Sequence, residues 1–426
     1  MKLGILAQYL ETRPDITELI NRLADSLEVV VFQENQEKSV LKLDPRIEVR
    51  TFGKRTSPGI KIWHVFFKAF GKVPKSKHNY FITEDFKIQN SSFYGNNIKT
   101  WWSQLLLFLN YRLPGFISYD SYIAAIQDSV VADLNGIDAF LCYTQIYDDG
   151  FLGKILAEKK KVFVLVYSWD HPCKMKCFSK SDIRYLVWNP NILKDLVELQ
   201  GILELRISIV GTSQFGYLNA FLRSPEPSRG HTKPYLYVAF ATGTASLAVQ
   251  EIAIIKRLAD MLASEWPEAN LMIRPYPFFK AQGFYEGLRA LPNVEFEPVY
   301  EGDDSVQGKM NHKYRWMNGS SGFFHFGTTL GVEACFLRCP VFFLSMKDEV
   351  LDKGLYYFIH QYQNDAYLHK AGMANTIESY PDLNKVVKAL KTGDASLKTY
   401  NDSVASGFSC ESFEDYTRRV LEMVRG

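Results

Sequence analysis

Residues 322–341, GFFHFGTTLGVEACFLRCPV, contain a complete corner of strand, helix and strand. An apolar run from Gly322 to Phe326 predicts a buried strand that ends at Gly327. The two threonines that follow predict the start of a helix, Thr329 to Phe336, and a second apolar strand, Val341 to Leu344, follows Pro340. Continuous apolar strands are typical of parallel sheets that are covered on both faces. This corner therefore predicts a doubly wound α/β domain.

The start of the predicted helix is also a candidate anion site. Its free backbone N–H groups, together with the hydroxyls of Thr328 and Thr329, predict a cradle for phosphate. Glu333 lies four residues beyond Thr329 on the same helix face, where its carboxylate can accept hydrogen bonds from ribose hydroxyls. An ordinary corner, with a threonine N-cap and a solvated Glu333, fits the same residues.

Similar corners extend along the chain in both directions. Predicted strands lie at 3–7, 28–32, 137–143, 161–167, 184–188 and 207–210, and again at 235–240, 270–274 and 293–296. Residues 223–234 hold three prolines and no apolar residue, which predicts a linker. We expect an N-terminal domain over 1–222, a C-terminal domain over 235–405, and a helix within 406–426 that can cross back to the first domain.

Composition and charge exclude several functional classes. The chain has 426 residues, with 49 Lys and Arg against 47 Asp and Glu, so no global charge draws it to nucleic acid. No apolar run reaches the roughly 18 residues that a membrane-spanning helix needs. Six cysteines without an export signal favour reduced thiols. These features together predict a cytoplasmic protein.

Residues 54–77 differ in composition from the rest of the chain. They carry seven Lys and Arg and no acid, interleaved with four large aromatic residues, and a second aromatic stretch follows at 101–109. Such a basic, aromatic segment can lie in an anionic membrane interface, which predicts peripheral contact with the inner face of a membrane. A solvated basic face whose aromatic rings lie in the core is the alternative.

Three further segments complete a family pattern. MIRPYP at 272–277, VGTSQFGY at 210–217 and YSWDH at 167–171 accompany the 322–341 corner in a consistent order and spacing. With them the chain resembles the GT-B glycosyltransferases that assemble bacterial surface polysaccharides such as capsule, O-antigen and lipooligosaccharide. His171, Tyr276 and Gly216 replace the Asn, His and Asp of that family's motifs. His325 also occupies the place of the first glutamate in the Glu-x7-Glu retaining type, so that mechanism is not expected.

The resemblance implies two Rossmann-like domains, of which the first binds the acceptor and the second binds a nucleotide-sugar. The implied donor is a CMP-, UDP- or GDP-sugar, the acceptor is a glycan or a lipid-linked sugar, and neither a cofactor nor a metal is expected. The candidate donor-binding residues are Arg274, Tyr276, Thr328, Thr329, Glu333, Gly243, Thr244 and His325. Arg274 ends a predicted strand and can hold phosphate oxygens in bidentate fashion. The small residues around Gly243 let backbone amides approach phosphate closely.

The candidate catalytic residues are Asp170, His171 and Asp149. Asp170 and His171 follow the apolar strand at 162–166, at the strand end where open α/β sheets bind ligands. A carboxylate there is placed to take the acceptor proton as general base. The triplet Asp148-Asp149-Gly150 resembles the acidic-acidic-Gly motif that supplies the base in bacterial sialyltransferases, although an Asp at a helix start also serves as a cap.

Other sites and functions compete with this interpretation. His171, Cys173 and Cys177 are residue types that bind zinc. The second pair, Cys335 and Cys339, lies on a predicted helix beside an apolar stripe that is typical of buried thiols, so no metal is predicted. Three other functions fit the same scaffold: a nucleotide-sugar 2-epimerase, a glycerophosphotransferase of teichoic-acid assembly, and a non-catalytic protein that binds sugar or nucleotide.

Overall fold

The structure is a computed structural model of the chain. It describes residues 1–6, 13–34, 43–74, 98–143, 149–166, 168–169, 172, 177–224, 232–241, 245–276, 282–337, 339–346, 375–394, 397 and 399–426. These form two compact domains: the first takes the described residues within Met1–Ile88, Asn96–Gly216 and Glu411–Gly426, and the second those within Tyr217–Cys410. None of the described helices is long and apolar enough to cross a bilayer.

An eight-stranded sheet organises the first domain. Its strands are β1 (Lys2–Leu6), β2 (Glu28–Glu34), β3 (Glu48–Lys54), β4 (Val130–Val131), β5 (Ala139–Tyr143), β6 (Lys161–Leu165), β7 (Ile183–Val187) and β8 (Ile207–Ile209). They are ordered β4-β3-β2-β1-β5-β6-β7-β8, and every neighbouring pair is parallel except β3 and β4. The helices of this part of the chain are α1 (Pro14–Leu23), α2 (Pro58–Phe70), α3 (Ile98–Arg112), α4 (Tyr119–Ala125), α5 (Asp149–Ala157) and α6 (Pro190–Asp195).

A six-stranded parallel sheet organises the second domain. Its strands are β9 (Tyr235–Ala239), β10 (Asn270–Arg274), β11 (Val294–Phe296), β12 (Gly322–His325), β13 (Val341–Leu344) and β14 (Thr376–Ile377), in the order β11-β10-β9-β12-β13-β14. The helices from Gly216 onward are α7 (Gly216–Arg223), α8 (Ala245–Glu265), α9 (Glu286–Arg289), α10 (Val306–Asn318), α11 (Thr329–Phe336), α12 (Tyr380–Thr392) and α13 (Thr399–Ala405).

The last helix, α14 (Phe413–Arg425), belongs to the first domain. It begins at Ser412, whose hydroxyl accepts a hydrogen bond from the backbone N–H of Asp415 at 3.1 Å. Its buried Val420 and Val424 join Leu3 and residues of α1 in one hydrophobic cluster on a single face of the sheet. The opposite face is covered by α5, because the ring of Phe151 packs against Phe32 and Phe140.

These sheets confirm the predicted class of two Rossmann-like α/β domains, with a C-terminal helix that returns to the first. The predicted bounds of β10, α11 and β13 coincide with the observed ones. The sequence pattern does not predict α10 or the strand β3, since neither has a continuous apolar run. The domain bounds stay a prediction, because 225–231, most of the predicted linker, lie outside the described residues.

A buried carboxyl stands out in the first domain. Asp195 ends α6, just before a wider π-helical turn at Leu196–Gln200, and is 1% exposed. Neither of its carboxyl oxygens has a hydrogen-bond partner among the described residues. Burial raises the pKa of Asp195 from 3.8 to about 6, and Glu198 adds to the effect while Lys194 opposes it. The native state therefore holds this proton more tightly than the unfolded chain does.

This pKa predicts a pH-dependent gain in stability for Asp195→Asn. Wild type should lose free energy of unfolding as the pH rises from about 4 to about 6, where the unfolded chain has released the proton and the native state has not. Above about pH 6 the charged carboxylate remains buried, so the variant should be more stable by on the order of 2 kcal/mol. Near pH 4 the two proteins should differ little.

Urea unfolding at several pH values measures this difference. The exposed Asp182→Asn serves as the matched control, and its effect should stay within about 0.5 kcal/mol at every pH. Equal stability of Asp195→Asn and wild type at pH 7 would contradict the assignment of a raised pKa.

Candidate functional site

Several predicted donor residues lie at the carboxyl edge of the second sheet. Arg274 ends β10 and His325 ends β12, and both are in register with Ala239 on the strand between them. Two inter-strand spacings of about 4.8 Å place these strand ends roughly 10 Å apart. Helix α11 begins just beyond His325, so its N-terminus lies at the same edge. Open parallel sheets bind their ligands at this edge.

The turn into α11 is shaped by Gly327 and His325. Gly327 has φ of +84°, a left-handed conformation that glycine adopts without a side-chain clash. The turn brings the N–H groups of Gly327 and Thr328 to 3.1 and 3.4 Å from Nδ1 of His325. Because Nδ1 accepts these bonds, the neutral ring carries its proton on Nε2. Two N–H groups at the helix start are therefore already engaged within the protein.

His325 itself lies fully buried beneath the start of α11. A Cβ on Gly331 would lie 2.3 Å from Cε1 of the imidazole, so the ring fits only because residue 331 is glycine. The ring supports the corner from inside the domain. Its predicted role as a direct donor ligand stays a prediction.

Thr328 is the N-cap residue of α11, but its side chain does not cap the helix. Its Oγ1 atom is buried and has no hydrogen-bond partner within the part of the chain that the structure describes. A buried hydroxyl without a partner costs about 1–3 kcal/mol. A phosphate oxygen at the helix start would supply the missing partner, so Thr328 stays a predicted phosphate ligand.

Arg274 is held in place by a carboxylate on the neighbouring strand end. Its Nη1 donates to both carboxylate oxygens of Glu297, at 2.6 and 2.5 Å, and the Tyr237 hydroxyl donates to Oε2 of the same group at 2.6 Å. Burial opposes the charge on Arg274, but Tyr237 and Glu297 outweigh it and raise the pKa of the guanidinium. The side chain keeps 28% exposure, so a ligand can still reach it.

Glu333 lies in the interior of the domain. Its Oε2 accepts a hydrogen bond at 2.5 Å from Nζ of Lys313 on α10, and the two side chains are only 5% and 10% exposed. Burial lowers the pKa of Lys313 and Arg274 lowers it further, whereas Glu333 and Glu297 raise it. The alternative of a solvated Glu333 is therefore wrong, and its predicted contact with ribose stays a prediction.

The two ion pairs act on one another. The charges of Arg274, Glu297 and Glu333 all shift the pKa of Lys313, so the four groups form one electrostatic cluster. Two cations and two anions give the cluster no net charge. An incoming phosphate would therefore be held by local donors at the helix start and by the exposed part of Arg274 rather than by a net positive field.

The remaining predicted residues are placed as follows. Tyr276 is half-buried two residues beyond Arg274. Asp149 lies in the first domain at the start of α5, where it accepts a hydrogen bond from the Tyr119 hydroxyl at 2.6 Å. The other four candidates, Asp170, His171, Gly243 and Thr244, lie outside the described residues.

Sequence reasoning missed Lys313, Glu297 and Tyr237 in the second domain, and a polar network in the first. There, Arg13 pairs with the buried Asp15 at 2.7 Å, and the Ser213 hydroxyl donates to the same carboxylate at 2.7 Å. Burial opposes the charge on Asp15, but Arg13 and Ser213 outweigh it and lower its pKa. Arg13 follows β1 and Ser213 follows β8, so this network lies at the carboxyl edge of the first sheet. Ser213 belongs to the predicted family segment at 210–217, which could have directed attention to it.

Two other features of the described residues lie apart from the predicted donor set. A pocket of about 700 Å³ in the second domain is lined by Tyr235, Pro298, Val299, Tyr300, Glu301, Gly302, Gly308, His312, Arg315 and Trp316. It includes none of the predicted donor residues. No group of three or more His, Cys, Asp or Glu residues in the described ranges is arranged to hold a metal ion; His171 and Cys173 lie outside those ranges.

Comparison with solved structures identifies the fold. The co-structure of MnaA from S. aureus with UDP has a TM-score of 0.53 and 11% identity, over 100% of this chain and 95% of that chain. UDP-GlcNAc 2-epimerase from Neisseria meningitidis bound to UDP-GlcNAc has a TM-score of 0.50 and 10% identity, over 100% of both chains. UGT89C1 from Arabidopsis thaliana has a TM-score of 0.50 and 12% identity, over 99% of this chain and 98% of that chain.

These likenesses confirm the predicted GT-B fold, and at such identities they establish the fold alone. No family model matches the sequence, and no curated protein matches it.

The buried ion pair predicts a strong loss of stability for Lys313→Met. Removing the ammonium leaves the Glu333 carboxylate buried and unpaired, which should lower the free energy of unfolding by about 3–5 kcal/mol. Replacing both residues, as Lys313→Met with Glu333→Leu, should recover most of that loss, because no charge is then left without its partner. Urea unfolding of the two single variants and the double variant measures the coupling.

An exposed lysine on the same helix provides the control. Lys309 lies 3.3 Å from Asp304 with both side chains largely in solvent, so Lys309→Met should change stability by less than about 0.5 kcal/mol. Simple additivity of the Lys313 and Glu333 substitutions would show that the two groups do not depend on each other.

Proposed function

We propose that this chain is a glycosyltransferase that moves a sugar from a UDP-linked donor to a glycan or lipid-linked acceptor in the assembly of a bacterial surface polysaccharide. The second domain binds the donor, and the first supplies the acceptor site. The observation that carries the proposal is the start of α11. There Thr328 has a buried hydroxyl without a partner, at the sheet edge that also holds the accessible Arg274.

The choice of a uridine nucleotide rests on the fold neighbours. The S. aureus and N. meningitidis structures hold UDP and UDP-GlcNAc on the same fold. In the proposed complex the diphosphate lies at the N-terminus of α11, where the helix dipole and the Thr328 hydroxyl stabilise negative charge. Arg274, fixed by Glu297, stabilises the charge that develops on the leaving UDP. CMP- and GDP-sugars remain as alternative donors to be tested against it.

The acceptor proton requires a base in the first domain. Asp149 is proposed for this role together with Asp170 and His171. At the start of α5, Asp149 has one oxygen engaged by Tyr119, which orients the carboxylate. A general base at this position would contribute about 10²- to 10⁴-fold to the rate. Neither a cofactor nor a metal takes part in this proposal.

A nucleotide titration tests the donor site. UDP should raise the melting temperature more than CMP, GDP or dTDP, because a ligand at 100 times its Kd stabilises a protein by about 2.7 kcal/mol. Thr328→Val keeps the shape of the side chain and removes the hydroxyl, so it should weaken UDP binding roughly tenfold or more. Thr392→Val, on an exposed hydroxyl at the end of α12, is the matched control and should bind UDP as wild type does.

If UDP raised the melting temperature of Thr328→Val as much as that of wild type, the Thr328 hydroxyl at the helix start would not be part of the donor site. A preference for CMP or GDP over UDP would keep the site and overturn the choice of nucleotide.

The likeness to the N. meningitidis enzyme supports a second candidate, a UDP-sugar 2-epimerase. The two reactions differ in the bond that must break. Epimerisation at C2 breaks the C2–H bond, re-forms it on the opposite face with a proton from solvent, and needs no acceptor. Transfer leaves C2–H intact and replaces the bond between the sugar and UDP by a bond to the acceptor. Mass spectrometry of UDP-GlcNAc incubated with the protein in D2O therefore separates them.

Transferase activity predicts no deuterium in recovered UDP-GlcNAc, and UDP release from a panel of UDP-sugars that increases when acceptor glycosides are added. Asp149→Asn should lower that release at least about 100-fold while UDP still raises the melting temperature. Deuterium at C2, together with a product of changed C2 configuration, would establish the epimerase instead. UDP binding without either reaction would favour a non-catalytic binding protein.

A further inference from the structure

Helices α2 and α3 of the first domain carry an unusual concentration of exposed apolar side chains. Of the twenty large hydrophobic side chains that are exposed in the described residues, eleven lie between residues 62 and 116. They are Ile62, Trp63, Val65, Phe66, Ile98, Trp101, Trp102, Phe108, Tyr111, Leu113 and Phe116. The two helices pack against each other, and we call these eleven exposed side chains, nine on the helices and two just after α3, the aromatic face. Exposed apolar surface on this scale marks a docking site.

The exposed side chains of the aromatic face are not needed to attach α2 to the domain, because other side chains of α2 form an inner face that contacts it. The Phe67 ring stacks on Tyr122 with centroids 4.2 Å apart, and Nδ1 of His64 lies 2.7 Å from the hydroxyl of the same tyrosine. These contacts hold α2 on the domain while the neighbouring Phe66 stays 48% exposed.

The charged residues on α2, α3 and their described flanks are all basic. Residues 54–74 and 98–118 contain seven Lys and Arg and no Asp or Glu. Lys61, Lys72 and Arg112 are exposed, and none of them forms a salt bridge within the described ranges. The Arg112 guanidinium lies over the Phe108 ring, 5.4 Å from its centroid, so cation and ring are presented together.

We propose that the aromatic face docks on an anionic lipid bilayer, with the rings in the interface and the basic side chains at the headgroups. Trp and Tyr favour the boundary between headgroups and acyl chains, and each Lys or Arg near an anionic surface strengthens binding roughly fivefold. A protein partner fits less well, since the cores of protein interfaces are depleted of Lys. Helix α2 has 13 residues, about 20 Å, so it lies on the bilayer and does not span it. This inference goes beyond the proposed function, because it requires neither donor nor acceptor.

Vesicle co-sedimentation of the full chain tests the proposal. Wild type should sediment with vesicles of two parts phosphatidylcholine to one part phosphatidylglycerol, and much less with phosphatidylcholine alone. Added salt should weaken the binding to the mixed vesicles. Trp101→Ser with Trp102→Ser should reduce the binding at least about tenfold. Lys61→Gln with Lys72→Gln should reduce it roughly twentyfold on mixed vesicles at low salt.

Leu203→Ser with Leu205→Ser is the matched control, because both leucines are exposed in the first domain, 57% and 82%, outside the aromatic face. This variant should bind vesicles as wild type does. The proposal is overturned if wild type stays in the supernatant with mixed vesicles, or if the leucine variant loses as much binding as the tryptophan variant. It is equally overturned if the chain forms a dimer in solution that the tryptophan substitutions dissociate while no lipid binds. None of these outcomes bears on UDP binding, so the two proposals fail separately.

Discussion

The buried ion pair between Lys313 and Glu333 constrains the carboxyl edge of the second sheet. It joins α10 to α11 with both charges withdrawn from water, and neither charge is tolerated there without the other. The positions of the two helices are therefore set together. Because α11 also rests on the His325 ring, the helix start that presents Thr328 is fixed from one side by an ion pair and from below by an imidazole.

Charge balance at this edge determines how it can select a ligand. The two cations and two anions of the cluster cancel, so they exert little long-range attraction on an arbitrary anion. The remaining interactions are short-ranged and directional: the dipole of the helix start, one buried hydroxyl and the exposed part of one guanidinium. Donors of this kind bind most tightly a ligand whose oxygens match their geometry. The phosphate of a nucleotide-sugar lies at a defined distance from the sugar and the base, so it is such a ligand. A free anion would contact only some of these donors.

The fold was predictable where apolar runs fix it, and the site only in part. The bounds of β10, α11 and β13 follow from continuous apolar strands and a threonine-led helix start. Helix α10, VQGKMNHKYRWMN, is polar on most of its surface, and only Val306, Met310, Tyr314 and Met317 mark its apolar side, so a search for continuous apolar runs does not find it. Its Lys313 meets a carboxylate 20 residues away, a contact that only the packed domain creates. For the same reason Arg274 was identifiable as a strand end, but the carboxylate of Glu297 that orients it was not.

The aromatic segments show a second limit of sequence patterns. Composition marks residues 54–77 as basic and aromatic, but α2 is apolar on more than one side, so periodicity does not tell which rings are buried. The structure separates adjacent residues: Phe67 stacks on Tyr122, whereas Phe66 points outward. The inner rings anchor the helix, and this anchoring allows the outer rings to remain in solvent without the helix turning to bury them. An apolar surface whose described neighbours on α2 and α3 include cations and no acids is costly in water and favourable at an anionic, partly apolar boundary, which is the environment that a bilayer surface provides.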